Sequence, residues 1–346
     1  MIIIEFVIGL TVLVIIHELG HYIACRIFGI PVDEFGVGFP PRVTTLFEWA
    51  GTKFTLNAIP LGGFVRARGE TDPTIPDGLM ASNPWKRIGV YVAGPFMNIL
   101  TAVIIYTIII MRLGAEDPNR LDVVMITLIE PGSPAEQAGL QVDDIVVKAN
   151  DEIIDSGEKL RQVVYSNLDL PVTLEIQRGE EEFTTSLTPR SNPPPGQAPI
   201  GIAMGVPTIP VSLWVALPAG ANATYRHSEA LISLITHFAR GQDTGEGKLL
   251  GFKGMVDTYS SIREGDSQSG LPEDIDILGF YTNLTISLGM LNLLPIPALD
   301  GGRVLLALPE IILRRRIPIR YQEILIGVTF LLLLGLLIFI NVMEFF

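Results

Sequence analysis

The sequence predicts an α-helical polytopic membrane protein of about four transmembrane helices, with an inserted soluble α+β domain and a short membrane-associated β-hairpin. Of its 346 residues 48% are hydrophobic and the mean hydropathy is +0.43, too apolar for a typical soluble chain. Residues 2–25, 88–112, 277–299 and 322–343 reach or approach the roughly 20 apolar residues that cross a bilayer. Charge is also partitioned. Residues 114–276 hold 25 acidic and 11 basic side chains, so they carry the whole formal charge of −13 and leave the remainder near +1.

The first segment, 1–28, is the one the chain is organised around. Ile15-Ile16-His17-Glu18-Leu19-Gly20-His21 sets a His-Glu-x-x-His pattern inside an apolar run. On a helix His17 and His21 leave one face a single turn apart, within reach of one metal ion, and Glu18 sits beside it as a general base. Three ionisable groups in a membrane helix are functional by default. The bland alternative is a chance pattern of interfacial histidines. A cleaved leader is not expected, since no basic region precedes the apolar run and cleavage near Tyr22-Ile23-Ala24-Cys25 would remove the motif.

Residues 29–87 form a cytosolic or re-entrant hairpin region. Runs 43–49 and 53–59 alternate like strands between Gly36, Gly38, Pro40-Pro41, Pro60 and Gly62-Gly63. The hairpin either pairs its edge with an extended peptide or only braces the first helix. Pro84-Trp85-Lys86-Arg87 opens the second span, 88–113, which Gly94-Pro95-Phe96-Met97-Asn98 interrupts. Asn98 there either hydrogen-bonds across helices or takes part in the chemistry.

Residues 121–190 read as a compact outer domain, with strands at 123–129, 145–149 and 172–177 and helices near 133–138 and 157–166. Pro189 to Pro199 is a stiff linker, and 191–276 is expected to hold linker and interfacial amphipathic helix, chiefly 209–240, with 241–273 mobile. His227 and His237 lie off any metal spacing with His17. The third span, 277–300, ends in Asn292-Leu-Leu-Pro295-Ile-Pro297-Ala-Leu-Asp300. The prolines break the helix, and broken membrane helices line cavities. Asp300 is then either the third metal ligand or the N-cap of a cytosolic helix in 301–321, before the last span at 322–343. The Arg and Lys residues of the two connections, notably Arg314-Arg315-Arg316, put those connections in the cytosol and both termini outside.

Taken together, His17-Glu18-Leu19-Gly20-His21, the Asn-x-x-Pro-x-Pro-x-Leu-Asp-Gly run of 292–301, and an insert between them whose Pro131-Gly132-Ser133-Pro134-Ala135 and Ala138-Gly139-Leu140 runs are PDZ-like resemble the site-2 protease family of zinc intramembrane metalloproteases, in its bacterial single-PDZ form. The resemblance covers nearly the whole chain. It implies Zn²⁺ held by His17, His21 and Asp300, with Glu18 as general base. It links Asn292 and the hairpin residues Phe54, Leu56 and Asn57 to substrate binding. It also implies a transmembrane protein substrate, trimmed first by an upstream site-1-type protease, and residence in the inner membrane. Asp143 and Asp151 stand where such domains usually carry Gly, and Phe252-Lys253 departs from the family's Gly-Pro-x-Gly.

Two other functions compete with the protease. A catalytically silent adaptor would use the PDZ-like domain to recruit partners around a closed structural metal site, whereas a catalytic site keeps an open position. A zinc transporter would need further ionisable residues along spans two and four. The acidic balance, with a pI near 4.8, gives no basis for nucleic-acid binding. Substrate identity and oligomeric state are not encoded in any pattern here.

Overall fold

The computed structural model describes residues 1–194, 197–241, 250–264 and 271–344. The chain divides into two units: residues 1–107, 217–263 and 277–346 in one, and 108–216 with 264–276 in the other.

In the first unit, α1 (Ile2–Ile27) is followed by β1 (Val32–Trp49), β2 (Thr52–Ala67) and α2 (Pro84–Leu113). The two strands are far longer than the predicted hairpin, and they double back. Residues 42–49 pair antiparallel with 52–57, and 32–37 pair antiparallel with 63–67. Residues 34–37 also face 53–56 with the numbering rising on both sides. The result is four strand segments in the order 42–49, 52–57, 32–37, 63–67, with Gly38 and Gly62 at positive φ where the chain reverses.

One buried carboxylate ties all four segments. Glu34 accepts from Thr55 Oγ1 at 2.8 Å, and pairs with Arg42 at 2.7 Å and Arg66 at 3.0 Å. Burial pushes its pKa up, but the Thr55 hydrogen bond and the Arg42 and Arg66 charges outweigh that and hold the carboxyl below the usual range.

The second unit holds β3 (Ala115–Glu116), β4 (Val124–Ile129), α3 (Pro134–Gln137), β5 (Ile145–Ala149), β6 (Glu152–Ile153), α4 (Gly157–Ser166), β7 (Val172–Arg178), β8 (Glu181–Leu187), β9 (Ile202–Gly205) and β10 (Thr208–Ile209). Its main sheet runs β8-β7-β5-β4-β9, over a core of Ile126, Leu160, Val172, Leu174 and Ile176. Ser133 and Ser156 cap α3 and α4 as their positions suggest. Asp143 and Asp151 take positive φ, +71° and +67°, the conformation that glycine or a short polar side chain tolerates. The proline-rich stretch does not end this unit, because the chain beyond it returns as β9 to pair with β4.

The chain then supplies α5 (Leu213–Ala239), α6 (Phe252–Arg263), α7 (Glu273–Asn292), α8 (Asp300–Leu313) and α9 (Ile319–Met343). The amphipathic segment is helical as expected, but its buried stripe meets α2: Gly220 packs on Thr107, and Tyr106 Oη lies 2.8 Å from His227 Nδ1. Within the stretch expected to be mobile, 252–263 is helix; 242–249 and 265–270 lie outside the described residues. Phe252 explains one departure from the family pattern. Its N–H donates to Asn341 Oδ1 at 2.9 Å, which a proline there would not do, while Glu344 accepts from Gly251 N at 2.6 Å. α6 and α7 also share an aromatic cluster with α1, built on Phe6, Tyr259 and Phe280.

Among the described residues three helices are long and apolar enough to cross a membrane: α1, α2 and α9. The third predicted span behaves differently. Its helix stops at Asn292, before the two prolines, and Asp300 opens α8 instead of ending α7. α7 also meets other helices, with Tyr281 against Gly9 of α1 and Gly289 against Asn98 of α2, so it carries buried Thr282 and Thr285 in place of an unbroken apolar run.

Candidate metal centre

Two close approaches position the site. Gly20 sets α1 against the Ala93 carbonyl of α2, where a Cβ would fall 2.3 Å from the oxygen. Gly301 and Gly302 let the start of α8 press on the carbonyls of Leu293 and Ile296, at 2.1 and 2.0 Å from where their Cβ atoms would be. That contact folds the α7–α8 break tightly onto the first turn of α8, where Asp300 stands.

His17 Nε2 lies 3.1 Å from Asp300 Oδ2, His21 Nε2 lies 3.3 Å from the same oxygen, and the two Nε2 atoms are 3.2 Å apart. Among the described residues this is the one cluster of three potential metal ligands. Asp300 does not cap its helix: the N-cap is Leu299, no side-chain cap bond forms, and the carboxylate turns toward the imidazoles.

Protons decide what the cluster suits. His21 Nδ1 lies 2.8 Å from the Val90 carbonyl, which can only accept, so in the neutral ring that binds a metal the proton sits on Nδ1 and a lone pair on Nε2. That lone pair faces a carboxylate oxygen and a second imidazole nitrogen, an arrangement of acceptors that a shared cation resolves. There is room for one. At Gly94 a Cβ would fall 2.4 Å from His21 Nε2 and 2.8 Å from His17 Nε2, so the absence of a side chain leaves a cradle beside both nitrogens. Two imidazoles and one carboxylate make a typical three-ligand set for catalytic zinc.

The cluster opens into a cavity of about 410 Å³. Glu18, Asn292, Arg303 and the β2 segment from Gly63 to Ala67 line it with the ligand candidates. Phe54, Leu56 and Asn57 do not. They belong to the segment 52–57, whose two edges are both taken, and Asn57 spends its amide on Val37 and Gly38 carbonyls. Phe54 stacks between Phe47 and Phe35. The free edge beside Glu18 is 63–67, which lines the same cavity as the Glu18 carboxyl. Strand pairing predicted for 53–59 thus loses its free edge there. Gly62-Gly63 followed by Phe64 and the alternating Val65-Arg66-Ala67-Arg68 was the sequence signal for this second segment.

The sequence profile of peptidase family M50 matches residues 5–336. The chain belongs to peptidase family M50. It is 31% identical to a Clostridium perfringens protein named "putative zinc metalloprotease", over 99% of this chain and 98% of that one. A Campylobacter jejuni protein with the same description is 32% identical over 96% of this chain and 90% of its own length. The Caulobacter vibrioides metalloprotease MmpA is 25% identical, over 95% and 92%. As an M50 metalloprotease the chain is an enzyme that acts on protein, its relatives' names point to zinc, and its candidate spans make it a membrane protein.

His227 and His237 stay apart from the cluster, engaged with Tyr106 Oη and the Ser233 carbonyl.

Proposed function

We propose that this M50 metalloprotease is an intramembrane zinc endopeptidase, with His17, His21 and Asp300 as ligands and Glu18 as general base. The observation that carries the assignment is the convergence of two imidazole nitrogens and one carboxylate oxygen within 3.3 Å beside a cavity that also holds Glu18. Three protein ligands leave a fourth position open, which favours catalysis over the closed structural site of an adaptor. When bound, zinc polarises the scissile carbonyl and the attacking water. Glu18 takes the proton from that water and returns it to the leaving amine nitrogen.

Substrate enters as an extended strand. A transmembrane helix hides its carbonyls in its own hydrogen bonds, so it must unwind before it is cut. The free 63–67 edge of β2 offers backbone groups to the unwound segment at the level of Glu18. Asn292 donates to the Leu288 carbonyl at 2.9 Å, which leaves its amide oxygen for a substrate N–H. The exposed apolar side chains Val43, Leu46, Phe47 and Trp49 on the far edge of the sheet suit contact with lipid.

The substrate class is the single transmembrane segment left after another protease has shed an outer domain, such as an anti-sigma factor or a signal-peptide remnant. α7 makes a fourth crossing, both termini face outward, and the domain at 121–190 is PDZ-like and keeps untrimmed substrates from the cleft. Support comes from the basic connections, the match of its predicted strands and helices, and the positive φ of Asp143 and Asp151. A Glu18→Gln variant is expected to bind zinc and leave a tagged single-span substrate uncut in membranes. Cleavage at the wild-type rate would refute the assignment.

A further inference from the structure

We propose that Asn98 is a positioning residue of the metal centre: its side-chain carbonyl accepts the His17 Nδ1–H and so aims the Nε2 lone pair at the point shared with His21 and Asp300. The proposal rests on the ligand assignment above.

Asn98 sits on α2, fully buried, with its amide nitrogen 3.1 Å from His17 Nδ1. Its amide oxygen is buried and has no hydrogen-bond partner. An NH₂ group pointed at Nδ1 requires a bare Nδ1 and therefore a proton on Nε2, where a ligand needs a lone pair. Turning the amide by 180° about its last torsion exchanges the two atoms in place. The oxygen then accepts from Nδ1–H, the orphaned acceptor gains a partner, and Nε2 is freed.

Asn98 completes a pattern that α2 has already half built. Val90, two helical turns earlier, fixes the His21 tautomer through its carbonyl, but the His17 ring lies where a side chain must do the same work. Gly94, midway between them, supplies the cradle. The side chain is held in place from behind, since Gly289 of α7 lies so close that a Cβ there would stand 3.1 Å from the Asn98 Cβ. Interhelical packing alone does not require a polar group here, because the contact from α7 goes to the Asn98 backbone carbonyl, from Thr285 Oγ1 at 3.3 Å.

The test uses the purified full chain in detergent and measures zinc dissociation by chelator competition. Asn98→Leu, which keeps the shape and removes the acceptor, is expected to weaken zinc binding about 10- to 100-fold, the usual effect of losing an outer-shell partner. Asn98→Asp, which keeps an acceptor at the same place, should stay within about threefold of wild type in the same assay. Cobalt substitution adds a second readout, with the d–d envelope altered in Asn98→Leu and preserved in Asn98→Asp. Zinc affinity of Asn98→Leu within twofold of wild type would overturn the proposal, and so would an Asn98→Asp loss as large as that of Asn98→Leu. If the leucine variant does not fold, Asn98→Ala takes its place with the same expected loss and the same overturning result. Wild type and Asp300→Ala run alongside: zinc binding that survives Asp300→Ala sinks the ligand assignment itself, whereas normal controls with an unaffected Asn98 variant sink only the role of Asn98.

Discussion

Replacing Gly94 with alanine tests the centre most directly, because ordinary helix energetics and the metal site predict opposite outcomes. Alanine in a helix interior is favoured over glycine by roughly 0.5–1 kcal/mol, so local propensity alone would make Gly94→Ala neutral or stabilising. The new Cβ, however, would stand 2.4 Å from His21 Nε2 and 2.8 Å from His17 Nε2, where ordinary contact begins near 3.4 Å. The overlap with the His21 ring is about 1 Å. Relieving it means rotating the imidazoles or moving α2 away by that amount, and zinc bonds of about 2.0–2.1 Å to nitrogen tolerate only about 0.2 Å of error. We expect zinc affinity to fall about 100-fold or more, roughly 2.8 kcal/mol. Proteolysis should fall with it, and the melting temperature of zinc-stripped protein should fall too, since overpacking costs about 1–3 kcal/mol. Chelator competition and cleavage of a tagged substrate read the first two, and a thermal melt in chelator reads the third. Wild-type zinc affinity in a folded Gly94→Ala protein would show that the space beside these nitrogens is not where the ion lies.

Other perturbations test separate parts of the structure. Glu34→Gln leaves Arg42 and Arg66 without their shared carboxylate and should lower the melting temperature at neutral pH, by less than a fully buried pair would because both guanidinium groups reach solvent. Because the folded pKa of Glu34 is depressed, its contribution is full above the unfolded value near 4.5 and fades as pH falls through the folded value. The wild-type advantage over Glu34→Gln should therefore shrink in acid, and an advantage that grows there would contradict the clamp. Val65→Pro removes a backbone N–H from the 63–67 segment and should lower kcat/KM at least tenfold with zinc affinity retained. Phe54→Leu, inside the sheet, should lower stability and leave KM unchanged, and a raised KM would return the substrate to segment 53–59. Asp144 is buried, forked by Arg178 at 2.7 and 2.8 Å and accepts from Gln141 N at 2.8 Å, so Asp144→Ala, which orphans that N–H, should destabilise its own unit by about 1–3 kcal/mol in a melt.

Much of the fold was legible from local pattern. The strands expected at 145–149 and 172–177 and the helices near 133–138 and at 157–166 lie where period and punctuation put them. Misses arose where a segment's state depends on distant partners. The proline-rich linker looked like a boundary because prolines stiffen any chain, but β9 is a strand only because β4 offers it an edge. Residues 252–263 looked polar and unstructured, and they are helical because Phe6 of α1 and the end of α9 give them a surface and a cap. α7 fell short of a membrane span in composition because neighbouring helices, not lipid, cover much of it.

The sequence by itself determined the imidazole pair and the carboxyl group of Glu18 beside it, since helical periodicity places residues 17, 18 and 21 without reference to anything else. It also determined that the chain near Asp300 must break, since two prolines forbid a continuous helix. Tertiary structure decided the rest: that Asp300 turns from its own helix to the histidines, that 63–67 and not 53–57 keeps a free edge, and that Val90, Gly94 and Asn98 of α2 stand behind and beside the imidazoles. Each of these depends on which surfaces meet after folding, and no periodicity within one segment records the proton carried by a neighbour or the edge left unpaired.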